Sequence, residues 1–231
     1  MAVGGPRTRR RWEALIEEQL ALAAARPAPW RWSGEPLTIG GCAICFRRGL
    51  SGPGAAGDPC WAAAAVLCAG RVIGSAAVCG EAGAPYVPGL LAMREGPVLE
   101  AAVRALPTAP EVLLVDATGR DHPRRAGMAV ALGATLGVPT VGVTHRPLLA
   151  VGDWPGEDRG AASPLVLEGE TVGAWLRTRR SARPVAIHPA WRTDLEVAVS
   201  IVLSVSGRRR TPEPLRVARR LAREARAQAA R

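Results

Sequence analysis

The spacing of apolar residues in the first third of the chain predicts one helix followed by three strands. The helix is predicted over Trp12–Ala25, and the strands over Leu37–Phe46, Trp61–Cys68 and Arg71–Val78. A long turn rich in glycine and alanine, from Ser51 to Asp58, separates the first two strands, and Ala69-Gly70 separates the next two. Strands joined by turns of this kind are expected to pair as an antiparallel meander.

From residue 90 onward the pattern alternates between helices and short apolar strands. Helices are predicted at about Leu90–Leu106, Pro123–Gly137 and Asp194–Val205, and strands at Val112–Asp116, Thr140–Thr144, Val166–Leu176 (one or two edge strands) and Val185–His188. Thr211-Pro212-Glu213 predicts an N-cap and a proline at the first position of a final basic helix. A meander followed by this alternation predicts one mixed sheet flanked by helices.

The positive charge of the chain is concentrated at its two ends. The formal net charge is +10 and the sequence contains no lysine. Residues 1–12 carry four arginines and no acid, and residues 208–231 carry nine arginines and two glutamates. Basic ends attract phosphate without sequence preference. A solvated basic helix with no partner has the same composition, so charge alone leaves both interpretations open.

Five cysteines all lie in the first 79 residues of the chain, and an odd number without an export signal predicts reduced thiols. They are Cys42, Cys45, Cys60, Cys68 and Cys79. Cys42 and Cys45 have CxxC spacing, but they lie in a strand, where residues three apart point to opposite faces. We therefore expect buried core residues here rather than a zinc or redox site.

The length of 231 residues suits a single domain with a full core. The sequence has no run of about 18 apolar residues that could span a membrane. Its N-terminus also lacks the apolar region and cleavage site of a signal peptide. We therefore expect a monomeric cytoplasmic protein without membrane contact.

The only tyrosine of the chain lies in the run Pro85-Tyr86-Val87-Pro88-Gly89. Prolines fix φ and remove amide donors, so this run predicts a stiff, exposed hook that carries the ring of Tyr86. A ring presented in this way can wedge between stacked bases or hold an unstacked base. The alternative is that Tyr86 simply packs against a neighbouring proline.

The hook is followed by Arg94-Glu95 and, about twenty residues later, by the run from Leu113 to Arg125, LLVDATGRDHPRR. Together these motifs resemble the endonuclease V family, which nicks nucleic acid near deaminated adenine. The resemblance implies an α/β fold with a ribonuclease H-like mixed sheet flanked by helices. It further implies one domain over residues 1–231, with a basic N-terminal segment (1–12) and a basic C-terminal helix (about 208–231).

The resemblance also implies a metal site and a nucleic-acid surface. Clustered carboxylates in such enzymes hold divalent cations for phosphodiester cleavage, and Glu95 and Asp116 match two of the three family acids. The hook from Pro85 through Tyr86, Val87 and Pro88 to Gly89 would recognise the base. His122, Arg124 and Arg125 would contact the nucleic-acid backbone. Three alternatives remain open. In the first, Glu95 and Asp116 form ordinary ion pairs with Arg47, Arg48 or Arg124. In the second, His122 has a structural role, and in the third, Arg124 and Arg125 are a plain solvated pair.

Three positions depart from the family pattern. Ala43 stands where the family has its first-strand aspartate, and no acid lies between Glu35 and Asp58. Trp191 stands where the family has a histidine, and His145 where it has a lysine. Losing one carboxylate of three removes on the order of 4 kcal/mol of gross attraction for a cation, at about 4 Å and an effective dielectric of 20.

These departures predict an endonuclease V-like protein that binds DNA or RNA containing inosine and whose cleavage is lost or impaired. The first alternative is an active endonuclease that depends on Mg²⁺ or Mn²⁺ and nicks near deoxyinosine in DNA repair. The second alternative is a protein-interaction scaffold. A divalent metal is expected only if the protein cleaves.

Overall fold

Within the described residues, 6–25, 27–32 and 36–230, the computed structural model contains one eight-stranded sheet and five helices. The strands are β1 (Thr38–Phe46), β2 (Pro59–Cys68), β3 (Arg71–Glu81), β4 (Val112–Val115), β5 (Thr140–Thr144), β6 (Ala162–Leu167), β7 (Glu170–Leu176) and β8 (Val185–Pro189). The helices are α1 (Pro6–Ala24), α2 (Leu91–Arg104), α3 (Met128–Leu136), α4 (Leu195–Ser204) and α5 (Glu213–Gln228). In the predicted basic segment, residues 1–5 lie outside the described residues, and the rest begins α1.

The sheet has the order β3-β2-β1-β4-β5-β8-β7-β6 and combines both kinds of pairing. The first three strands form the predicted antiparallel meander, and β4 pairs in parallel with β1 and β5. The strands β8, β7 and β6 continue the sheet in antiparallel fashion. Because β4 is central and fully buried, its four residues are all apolar.

Helices cover both faces of the sheet. Leu113 and Val115 of β4 pack with α2 and α3 on one face, whereas Leu114 packs with α4 and α5 on the other. Gly41 of β1 lies directly under the start of α5. A Cβ at this glycine would come within 2.5 Å of the carbonyl carbon of Pro214, so only glycine allows α5 to lie this close to the strand. This close contact brings the basic face of α5 next to the carboxyl end of β4.

Helix α1 begins at Pro6 rather than at the predicted Trp12, and two further predicted helix starts differ from the structure. The third helix begins at Met128 rather than Pro123, because the chain first forms turns in which Arg125 has a φ of +56°. The arginine pair is therefore not at a helix start. The last helix begins after Pro212 without a side-chain cap, and the hydroxyl of Thr211 instead lies 3.2 Å from Nε2 of His145.

The cysteines are free thiols in different environments. Cys42 is buried, as expected, and Cys60 is buried too, whereas Cys45 is only half-buried and Cys79 is exposed. The thiol of Cys45 donates to the carbonyl of Ala222 in α5, at 3.3 Å. None of the helices in the described ranges is long and apolar enough to cross a membrane.

Candidate functional site at the carboxyl end of β4

Ala43 and Asp116 occupy neighbouring positions on adjacent strands. Cys42 of β1 pairs with Val115 of β4, and the amide of Asp116 donates to the carbonyl of Cys42 at 3.4 Å. The next residue on β1, Ala43, faces α5 together with Gly41, because side chains alternate along a strand. Ala43 is 1 % exposed and offers only a methyl group at the position where the resemblance implies a carboxylate.

The carboxylate of Asp116 forms an ion pair with Arg219 of α5. Nε of Arg219 donates to Oδ2 at 2.7 Å, and Nη2 donates to Oδ1 at 2.5 Å. A bidentate pair of this kind is among the strongest and most directional ion-pair geometries. The partner is none of the arginines suggested by the sequence, and it lies 103 positions away in the chain. The one signal for it in the sequence is the arginine spacing of the last helix.

Glu95 projects from α2, on the other face of the sheet, and receives no hydrogen bond or ion pair from the described residues. Burial raises the pKa of its carboxyl to about 7, with the charge of nearby Asp116 adding to the effect and Arg94 opposing it. Glu95 is therefore about half protonated at neutral pH. Asp116 is thus within electrostatic range of Glu95.

These donors do not fit the divalent metal that the resemblance implies. Mg²⁺ and Ca²⁺ are held by several oxygen ligands, with carboxylates in ionised form. Here Ala43 supplies no oxygen, both oxygens of Asp116 bind Arg219, and Glu95 is only partly ionised. No group of three histidine, cysteine, aspartate or glutamate side chains in the described ranges could hold a metal ion.

His145 follows β5 and lies at the edge of the same site. Burial lowers the pKa of its imidazole, and Arg210 and Arg219 lower it further, whereas Asp116 raises it. The imidazole is therefore neutral at physiological pH, unlike the lysine that the resemblance implies at this position. The site thus holds its positive charge on arginines rather than on His145.

Trp191 is not brought to the carboxylates. Its amide donates to the hydroxyl of Thr140 at 3.0 Å, and its carbonyl accepts from the amide of Thr140 at 2.9 Å. Thr140 pairs with Leu113, three residues before Asp116, which places Trp191 about 10 Å along the sheet from the site. The side chain of Trp191 packs against the core under α3 instead.

The hook at Tyr86 is held on one side by Arg94. Tyr86 is 45 % exposed, as predicted, and its amide donates to the carbonyl of Gly54 at 3.0 Å. Arg94 is buried, donates to Asp58 at 2.6 Å, and lies 4.4 Å above the ring of Phe46. It also donates to two backbone carbonyls, those of Ala55 and Ala84. Arg94 therefore fixes the hook to the 53–58 turn.

The other side of the hook is held through the carbonyl of Gly89. This oxygen accepts from Gln19 at 3.0 Å, from Nε2 of His122 at 3.1 Å and from Arg124 at 2.6 Å. Nδ1 of His122 accepts the amide of Arg124, so the proton of the neutral ring is assigned to Nε2. Burial, helped by Arg124, lowers the pKa of His122 to about 4. These contacts agree with the alternative that His122 has a structural role.

Arg125 and Asp121 hold neighbouring loops. Arg125 donates to the carbonyl of Leu167 and to Glu168, both at 3.0 Å. Contact of His122, Arg124 and Arg125 with a nucleic-acid backbone stays a prediction, and all three side chains already have partners in the protein.

Asp121 was missed as a functional candidate. It is fully buried and accepts three backbone amides, from residues 148, 149 and 150, at 2.6 to 2.8 Å.

Comparison with known proteins identifies close relatives of this chain. The family model described as Endonuclease V matches residues 36–220. A protein from Streptomyces avermitilis named Endonuclease V is 42 % identical over 166 residues, which cover 71 % of this chain and 72 % of the relative. A second Endonuclease V, from Nocardia farcinica, is 46 % identical over 155 residues, covering 66 % and 67 %.

Solved structures show the same fold. The crystal structure of the endonuclease V from Streptomyces avermitilis matches with a TM-score of 0.84 and 34 % identity, covering 96 % of this chain and 94 % of that one. The catalytic domain of human endonuclease V matches with a TM-score of 0.81 and 29 % identity, covering 98 % and 99 %. These matches and the strand order confirm the predicted ribonuclease H-like fold. The chain therefore belongs to the endonuclease V family.

Proposed function

We propose that the protein recognises deaminated bases, above all inosine, in DNA or RNA, and that it binds them without efficient cleavage. The observation that carries this proposal is the ion pair between Asp116 and Arg219, next to the methyl group of Ala43. Family membership supports the binding part. A structural neighbour from Ciona intestinalis, 19 % identical, was solved with DNA containing an inosine.

The ion pair supports loss of cleavage on physical grounds. An arginine guanidinium stays protonated at any physiological pH, so it contributes a fixed positive charge. Such a charge can attract a phosphate, but it cannot lower the pKa of a bound water to generate a nucleophile as a metal does. The carboxylate of Asp116 largely neutralises Arg219, so the site lacks an activated hydroxide without offering a free cation in place of the metal.

The geometry of the hook supports base recognition. The ring of Tyr86 is exposed, while Arg94 anchors the backbone before it and the three donors to Gly89 anchor the backbone after it. A side chain held on a fixed backbone loses little conformational entropy on binding. Tyr86 is therefore suited to stack against a base that has left its helical stack.

The proposal is tested by comparing affinities for oligonucleotides with one inosine and for matched strands with adenine, in the presence of a chelator. We expect the wild type to prefer a duplex with the inosine strand about ten-fold, because a mispaired or damaged base costs less to extrude before it stacks on Tyr86. Tyr86→Ala should abolish this preference. The matched control is Trp154→Ala, which removes another exposed aromatic ring from a different loop and should leave the preference intact.

Two outcomes would overturn the proposal. Equal affinity of the wild type for inosine and adenine strands, with only a steep dependence on salt, would indicate unspecific attraction by the arginines. That result would favour the interaction-scaffold alternative. Product formation next to inosine once Mg²⁺ or Mn²⁺ replaces the chelator would favour the active-endonuclease alternative.

A further inference from the structure

A basic cleft lies beside the last turns of α5. It has a volume of about 780 Å³, and its lining includes Arg47, Arg48, Arg223 and Arg226 together with the aromatic ring of Trp61. The described residues that line it include no carboxylate. Nothing in the site at the carboxyl end of β4 requires four arginines and a tryptophan at this position.

The cleft follows from the way α5 crosses the meander. Trp61 pairs with Cys45 across the β1–β2 ladder, and directly paired residues point to the same face of a sheet. Cys45 touches the carbonyl of Ala222, so this face is the one covered by α5. The helix ends at Gln228, and the half-buried Trp61 lines the cleft beside its last turns.

A row of arginines connects the cleft to the candidate site. Arg219, Arg223 and Arg226 are spaced i, i+4 and i+7, which places them along one side of α5. Arg219 binds Asp116, whereas Arg226 lines the cleft and donates to the carbonyl of Phe46 at 3.0 Å. With a rise of 1.5 Å per residue, the row extends over about 10 Å.

The charge of the cleft favours an anion despite the nearby helix end. The C-terminus of a helix carries roughly half a negative charge, which by itself would repel a phosphate. Four guanidinium groups outweigh this partial charge. Arg47, Arg48 and Arg223 form no ion pair with the described residues, so they are available to a ligand.

We propose that this cleft binds a nucleotide of the single strand that runs past Asp116, with its base stacked on Trp61 and its phosphates on Arg47, Arg48 and Arg223. Stacking on an aromatic ring combined with basic side chains is how proteins hold single strands without reading their sequence. Guanidinium groups suit the task because they bind phosphate through two donors and also stack on bases. The proposal rests on the proposed function in one respect only, namely that the nucleotide in the cleft belongs to the strand bound at the candidate site.

The test uses fluorescent single-stranded oligonucleotides without inosine, lengthened one nucleotide at a time from either end. We expect wild-type affinity to rise stepwise when the strand becomes long enough to reach the cleft. Trp61→Leu keeps an apolar side chain. Its affinity for strands long enough to reach the cleft should be roughly ten-fold lower than that of the wild type. Arg223→Gln should reduce the slope of log affinity against log salt by about 0.7.

Matched controls separate the cleft from general charge and from folding. Arg220→Gln removes an arginine from the same helix, but its side chain lies by Glu224 outside the cleft. It should therefore leave the length-dependent gain intact. A strand with an abasic unit at the position that reaches the cleft should bind the wild type and Trp61→Leu equally, because no base is present to stack on Trp61.

Three results would overturn the proposal. One is a wild-type affinity that does not increase with strand length, and another is an unchanged gain in Trp61→Leu. The third is a loss of affinity in Trp61→Leu that is as large for the abasic strand as for the intact strand, which would mean that Trp61 acts only on the fold or the charge. Because these strands contain no inosine, failure here is distinct from failure of base recognition, which is measured by the ratio of inosine to adenine affinity.

Discussion

Arg219 of α5 donates to both carboxylate oxygens of Asp116, at 2.7 and 2.5 Å, across 103 positions of sequence. In this member of the endonuclease V family, the cation beside that aspartate is thus a side chain of the protein itself. Ala43 completes the change, since its methyl group replaces the carboxylate expected in β1. In this structure the side chain of Ala43 offers no oxygen, and both carboxylate oxygens of Asp116 are bound to Arg219.

Restoring the carboxylate and releasing Asp116 should restore metal binding. We expect the double variant Ala43→Asp with Arg219→Gln to gain about 5 to 10 °C in Tm with Mn²⁺ at roughly a hundred times its Kd. The wild type should gain nothing at the same concentration, because its oxygen ligands are too few. Thermal melts with and without Mn²⁺ measure this, and each single variant is the control. An equal gain in the wild type would contradict the interpretation.

Glu95→Gln should stabilise the protein above neutral pH and leave its stability unchanged below pH 4.5. Burial and Asp116 raise the pKa of Glu95 to about 7, above its usual 4.5. The folded protein therefore binds this proton more tightly than the unfolded chain does, and stability falls as pH rises between these values. Glutamine does not titrate, so its advantage should grow to about 3 kcal/mol at pH 8. Urea unfolding at pH 4.5, 6 and 8 measures the difference, and a pH-independent difference would refute it.

The sequence was sufficient for the elements whose signals are local. The four apolar residues of β4 and the proline-bounded run at Tyr86 carry their own conformational preferences, and both were placed correctly. The pairing of Asp116 with Arg219 could not be predicted, because it depends on how α5 lies over β1. The helix start at Met128 was missed for a similar reason, since the turn before it is held by contacts of His122 with Gly89.

Arg124→Gln should weaken base recognition by loosening the hook. It removes the 2.6 Å hydrogen bond to the carbonyl of Gly89 and the contact with Gln19. We expect the inosine preference to fall several-fold and the stability to fall by about 1 to 3 kcal/mol. Arg125→Gln is the matched control, because its contacts are with the turn between β6 and β7. A loss of preference in the control alone would count against the assigned role of Arg124.

Asp121→Asn should destabilise the loop that follows β5. The buried carboxylate accepts three amides, and an asparagine offers one oxygen and a donor nitrogen that would face amide donors. We expect a loss of about 2 to 3 kcal/mol in the free energy of unfolding, with the m-value unchanged. Chemical denaturation measures both quantities. A loss below about 0.5 kcal/mol would show that the amides find other acceptors.

Binding without cleavage is tested most directly under single-turnover conditions. An excess of protein is incubated with an inosine oligonucleotide in Mg²⁺ and then in Mn²⁺, beside Glu95→Ala, and retained strand and cleaved product are measured in the same samples. We expect inosine-dependent retention with no product in either metal. Product next to inosine that disappears in Glu95→Ala would show that the loss of the carboxylate at Ala43 is compensated and that the protein is a working endonuclease.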